Sequence, residues 1–135
     1  HKEETVWQNS NKNLEIDHGV RSFEDALRSS KVVVFTYFST GFLQCLSSDQ
    51  PTIGFWKSPI EVVLPDAQKI FQVLVDARIL FSDAREAAEH LSRVERDLGG
   101  WWMSDEVIKA KKQFCDELAR ESSDPIKDFS TLIYK

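Results

Sequence analysis

The run KVVVFTY, Lys31–Tyr37, decides the fold. Its apolar residues are continuous instead of alternating, and β-branched valines dominate it. That pattern predicts a strand buried on both faces, as in a parallel sheet covered by helices. Ser39-Thr40-Gly41 follows, and Phe42–Leu46 then reads as a short amphipathic helix. Strand, tight turn and helix in that order open a strand–helix–strand unit.

Working outward, Pro51–Trp56 (PTIGFW) repeats the strand pattern. Its proline stands at the first residue, where a missing ladder donor is tolerated. Pro65-Asp66 opens a longer helix with Ala67, Ile70, Phe71, Leu74 and Ala77 on one face, and Gln68, Lys69, Gln72 and Asp76 elsewhere. Ile79–Phe81 reads as a short final strand. Asp83 and Glu86 form a capping pair. Ala84, Ala87, Ala88, Leu91, Val94 and Leu98 then carry an apolar stripe to Gly99-Gly100, which reads as a helix stop. Ser104 caps a last helix with Val107, Ala110, Phe114 and Leu118 as its buried line, and Trp101-Trp102 clamp that helix onto the domain. Upstream, Asn13–Asp17 reads as a strand, and Ser22 with Asp25 caps a short helix bearing Phe23, Ala26 and Leu27. Residues 1–12 read as a polar arm, 13–120 as one domain and 121–135 as a polar tail. The expected fold is α/β: a small parallel sheet of about four strands with helices on both faces and a C-terminal helical extension.

Composition narrows the function. A length of 135 residues suits one domain. Seventeen basic against 22 acidic residues give a net charge of −5, which argues against nucleic acid as a partner. Cys45 and Cys115 lie too far apart in sequence for zinc-type spacing and are too few for a disulfide framework; both read as core thiols. No apolar run is long enough for a transmembrane segment. The chain opens at His1 without a leader, and the expectation is a piece of a longer protein.

In open parallel sheets, ligands gather beyond the carboxyl ends of the strands. Tyr37-Phe38-Ser39-Thr40-Gly41 lies at such an end. Its hydroxyls, its glycine and the amides of a starting helix suit a phosphate or pyrophosphate. In the plainer reading Ser39 or Thr40 caps the helix, and the two roles are compatible. Asp17-His18-Gly19 is a second loop, where His18 can donate to a phosphate or move a proton, or is simply a surface group. Trp56 ends a strand near the same crevice and can stack on a base or pack at the core rim. His90 falls off the apolar stripe and reads as solvated. No nucleophile elbow, dinucleotide fingerprint, phosphate loop or metal-ligand spacing is present.

Thr36–Trp56 (TYFSTGFLQCLSSDQPTIGFW) resembles transferases of bacterial surface-carbohydrate biosynthesis. So does the stretch Ile79–Ala119, with its EAAEH helix and its WWMSDEV helix start. Those proteins are similar to two-domain GT-B glycosyltransferases and to glycerophosphotransferases, and the resemblance covers roughly residues 14–120. It implies a Rossmann-like, partial GT-B C-terminal domain that binds a nucleotide-diphosphate-activated donor. Ser39, Thr40 and Gly41 would hold the donor phosphates and stabilise negative charge as the nucleotide diphosphate leaves. No cofactor and no metal is implied. The catalytic residues stay unassigned, because an N-terminal acceptor domain, missing from these residues, would complete the site. The relatives place Glu where this chain has Gln44; glutamine can still bond a ribose hydroxyl but lacks the charge. Trp56 and His18 are further candidates for the ribose or base. The implied location is cytoplasmic, with a peripheral place at the inner membrane left open.

Two other classes stay in view. One is a non-catalytic, transferase-like assembly module, motivated by Gln44, the missing half and Trp101-Trp102. The other is a flavodoxin-like or receiver-like signalling domain. It would want an acidic cluster with a lysine at the strand ends, where only Asp17 stands.

Overall fold

The computed structural model describes residues 9 and 13–121. The polar arm read over residues 1–12 lies outside them except for residue 9, and the tail over 121–135 except for residue 121. The chain divides into two units, residues 1–30 and 31–135.

In the first unit the strand expected at Asn13–Asp17 does not form. The Asp17 carboxylate accepts hydrogen bonds from the N–H of Gly19 at 2.8 Å and of Val20 at 3.2 Å, and from Arg21 Nε at 3.1 Å. These bonds close a turn just after the expected strand, with Gly19 at φ 83°; residues 14–17 before it pair with no strand among the described residues. Helix α1 (Phe23–Arg28) follows as read. Ser22 Oγ accepts from the Asp25 N–H at 3.1 Å. The Asp25 carboxylate bonds Arg28.

The second unit holds β1 (Val33–Phe35), α2 (Thr40–Leu46), β2 (Thr52–Phe55), α3 (Pro65–Asp76), β3 (Leu80–Phe81), α4 (Ala84–Val94), a 3-10 turn (Glu95–Asp97), α5 (Leu98–Trp102) and α6 (Asp105–Glu121). Among the described residues the sheet has three parallel strands in the order β1-β2-β3, fewer than expected. Register pairs Val34 with Ile53 and Gly54 with Leu80. Since side chains alternate across a strand, Val34, Ile53, Phe55 and Phe81 share one face, and Gly54 and Leu80 share the other.

The Gly54 face carries the main core. Phe42 and Leu46 of α2, the expected α3 line of Ala67, Ile70, Phe71 and Leu74, and the α6 line of Val107, Ala110, Phe114 and Leu118 meet there. α6 packs on α3, with the Phe114 ring edge-on to Phe71 at 5.4 Å. Trp102 is fully buried in the same cluster; its Nε1 donates to the Ser48 carbonyl at 3.3 Å, and Lys111 Nζ stands 4.1 Å from the ring centroid. The Ile53 face holds a smaller cluster, in which Ile53 and Phe81 meet Ala87 of α4.

Three readings are corrected in detail. β1, expected to be buried on both faces, is an edge strand, and Val34 is 44% exposed. α4 lies over β2 and β3, so Val34 borders an open groove of about 230 Å³ with Ala84, Ala88 and Leu91 on its far wall. Gly99-Gly100 does not stop α4, which ends at Val94; both glycines lie inside α5. There Asp97 caps the helix by accepting from the Gly100 N–H at 3.0 Å, and a β-carbon on Gly100 would collide with the Asp97 carboxylate. Asp83 does cap α4, through the Arg85 N–H at 2.8 Å.

His90, expected in solvent, is buried between the rings of Phe81 and Trp101, at 5.4 and 5.0 Å. No helix among the described residues is long and apolar enough to cross a membrane.

Candidate functional site

β1 and β2 are parallel, so their carboxyl ends open on one side of the sheet. β1 runs out into Tyr37 and Phe38, and β2 into Trp56 and Lys57. Trp56 folds back over Gly54 and packs edge-on against Phe38 at 5.8 Å and Phe42 at 5.5 Å. Phe38 in turn tilts onto Phe71 at 5.1 Å.

Trp56 and Phe38 line a half-open cavity of about 260 Å³ at the strand ends. Val62, Val63 and Phe71 complete its apolar walls, and Lys57 is the one charged residue lining it. Tyr37 is 67% exposed at the mouth. The loop beyond Lys57 carries Ser58 at φ 51°, directly before Pro59. A left-handed backbone is costly for a non-glycine residue, and proline disfavours helical conformations in its predecessor, so tertiary packing holds this turn.

Ser39-Thr40-Gly41 follows Phe38 directly. Ser39 is the N-cap of α2, and its Oγ accepts from the Phe42 N–H at 3.4 Å. Its carbonyl takes the Leu43 N–H. The N–H groups of Thr40 and Gly41 have no partner among the described residues, and the Thr40 side chain is exposed. Capping and ligand chemistry are therefore separable: the Ser39 hydroxyl is committed, while Thr40 and Gly41 offer donors to an anion. Gln44 is exposed four residues after Thr40, on the same helix face.

The other predicted residues stand as follows. His18 is exposed on the Asp17 turn of the first unit. The Gly19 N–H and the Arg21 side chain hold the Asp17 carboxyl below its ordinary value. Burial pushes the thiols of Cys45 and Cys115 up, which keeps them protonated and suits packing. His90 Nε2 has no hydrogen-bond partner among the described residues; burial, then Arg78 and Arg93, hold the imidazole below its ordinary value.

Two wider clefts of about 520 Å³ lie elsewhere. One, between α3 and α6, is lined by Asp66, Lys69, Gln113 and Glu117. The other runs along β3 and α4 past Arg78, Glu86, Glu89 and Arg93. Both mix charges of opposite sign, and Phe81 of the second is the one aromatic residue among their linings. Among the described residues no group of three His, Cys, Asp or Glu side chains could hold a metal ion.

Sequence reasoning placed Trp56 and the loop from Tyr37 to Gly41 at this crevice, but gave Tyr37 and Phe38 no role there and missed Lys57 and Val62 as walls. The available signal was the aromatic residue just beyond the carboxyl end of each of two adjacent strands.

A sequence model described as LIC12162 family transferase matches residues 1–133. No curated protein and no solved structure shows significant similarity to the chain.

Proposed function

The chain belongs to the LIC12162 family of transferases, and on that premise we propose that it binds the nucleotide-diphosphate-activated donor of a GT-B-like glycosyl or glycerophosphate transfer in bacterial surface-polysaccharide synthesis. The observation that carries the reading is the aromatic cavity at the carboxyl ends of β1 and β2, whose Tyr37 and Phe38 directly precede the Thr40 and Gly41 amides, without a partner among the described residues. Open parallel sheets bind ligands on that side.

In this reading the Thr40 hydroxyl and the two amides bond the donor phosphates, and Ser39 fixes the turn that presents them. Their N–H dipoles are set before the reaction, so they stabilise negative charge as the nucleotide diphosphate departs. Gln44, on the Thr40 face of α2, bonds a ribose hydroxyl. Trp56 gives the base or ribose an apolar wall. The general base and the acceptor site belong to a further domain.

Titrating the protein with UDP, GDP, CDP and CMP, followed by calorimetry and NMR shifts, tests this directly. Saturable binding with shifts centred on Thr40 and Gly41 supports it. A folded protein that responds to none of the four rejects it.

The open edge of β1, with Val34 exposed beside an apolar groove, favours a second reading as an assembly module. Sedimentation over a range of concentrations separates the two. Self-association without nucleotide binding supports assembly, and a monomer that binds nucleotide supports the donor reading.

A further inference from the structure

The strand-end cavity has a chemistry that decides how a donor is selected. Its side chains are almost wholly apolar: Phe38, Val62, Val63 and Phe71, with the Trp56 indole beside them. Reading a base edge needs matched donors and acceptors, the work of amides, carboxylates and small hydroxyls. No such side chain lines this cavity. Its polar side-chain groups are the Tyr37 phenol, the Trp56 indole N–H and the Lys57 ammonium.

Size limits the occupant further. At about 260 Å³ the cavity falls below the range of about 300–1,000 Å³ that encloses a whole small-molecule ligand. It has room for one ring system, with the remainder of a ligand outside. Among the lining residues Lys57 supplies the only charge, and it is positive, which suits an anionic group outside the cavity.

We propose that this cleft is a stacking subsite for the heterocyclic base of a nucleoside diphosphate, and that it accepts the ring without reading its edge. Tyr37 and Trp56 offer the ring faces, and Lys57 attracts the diphosphate attached to it. Every base has a π-face, so stacking on aromatic side chains is tolerant of base identity. Ser58, in its left-handed conformation before Pro59, keeps the turn that presents Lys57 at the cleft. Selection among donors then falls to the transferred group instead of the nucleobase. This inference rests on the donor-binding reading above.

The test measures dissociation constants of UDP, CDP, GDP and ADP, and of inorganic pyrophosphate, by calorimetry at one fixed salt concentration. The four nucleotides should agree within about fivefold and bind about tenfold or more tighter than pyrophosphate, the increment expected of one stacked ring. Tyr37→Ala, at a largely exposed position, should draw the nucleotides down toward pyrophosphate. Trp56→Leu should do the same, but its ring also packs over Gly54, so Tyr37→Ala keeps the test open if Trp56→Leu fails to fold. A spread of a hundredfold among the four nucleotides overturns base tolerance and leaves the donor reading standing. Pyrophosphate binding as tightly as the nucleotides overturns the stacking subsite and leaves only a phosphate site. No binding by any of the five removes both readings.

Discussion

Gly54 and Trp56 share one face of β2, and the indole lies back across the glycine so closely that a β-carbon there would stand 2.7 Å from Cζ3. The same β-carbon would meet Phe42 Cε2 at 2.9 Å. Both obstacles are rigid rings in packed surroundings, so neither can give way cheaply. Glycine is thus the slot into which the wall of the strand-end cavity fits.

Gly54→Ala should therefore destabilise the protein by about 1–3 kcal/mol, the usual cost of overpacking a core. Urea denaturation followed by circular dichroism checks the magnitude. Because Trp56 must shift, nucleotide affinity should fall in the fraction that remains folded.

The neighbouring hydroxyls of Ser39 and Thr40 should separate cleanly. Ser39→Ala removes the N-cap of α2 and should cost about 1 kcal/mol of stability. Thr40→Ala removes an exposed hydroxyl that caps nothing, and should leave stability within about 0.5 kcal/mol. Its effect should appear in diphosphate affinity. Parallel denaturation and calorimetry on the two variants would refute the assignment if their roles were reversed.

His90 gives the protein a pH dependence whose sign follows from its environment. Burial and the charges of Arg78 and Arg93 oppose protonation in the folded state, so the folded pKa lies below the ordinary value of 6.5. The unfolded chain binds the proton first, and stability falls as pH drops from about 6.5 toward the folded pKa. His90→Phe, which suits the space between Phe81 and Trp101, should flatten the loss over that interval. Urea midpoints at pH 5, 6, 7 and 8 read it out. An unchanged slope in the variant would show that other groups carry it.

Phe114 is fully buried, with its ring against Phe71. Phe114→Ala should cost about 3–5 kcal/mol, enough to leave a domain of ordinary stability close to unfolding. Thermal melts would show the loss.

Val34→Lys makes the opposite case at the sheet edge. Charged residues on edge strands discourage pairing with other chains. The variant should stay folded and show less self-association in sedimentation than the parent.

Much of this fold was legible because its signals are local. The α3 line Ala67, Ile70, Phe71 and Leu74 and the α6 line Val107, Ala110, Phe114 and Leu118 follow from helical spacing alone. Pro51 correctly marked the start of β2. Two of the misreadings have a non-local cause. KVVVF reads as fully buried, yet exposure of Val34 depends on where α4 comes to lie. His90 is buried because Phe81 and Trp101, distant in sequence, close on it from both sides. The Asp17 turn rests on a local signal, a carboxylate that takes the N–H groups of Gly19 and Val20. At the candidate site, the Ser39 cap was readable from the turn itself. The aromatic cavity needed the exits of two strands to be brought side by side.

The bond from Trp102 Nε1 to the Ser48 carbonyl spans 54 residues of chain. Closing a flexible loop of that length costs about 3.5 kcal/mol in chain entropy before any contact offsets it. The C-terminal helices should accordingly join late in folding, after the strand–helix units have assembled from nearer neighbours. Substitutions on the inner face of α6 would then act on the unfolding rate and leave the refolding rate almost untouched. The last helices should then work as a latch on a structure already formed, with the lifetime of the folded state set there.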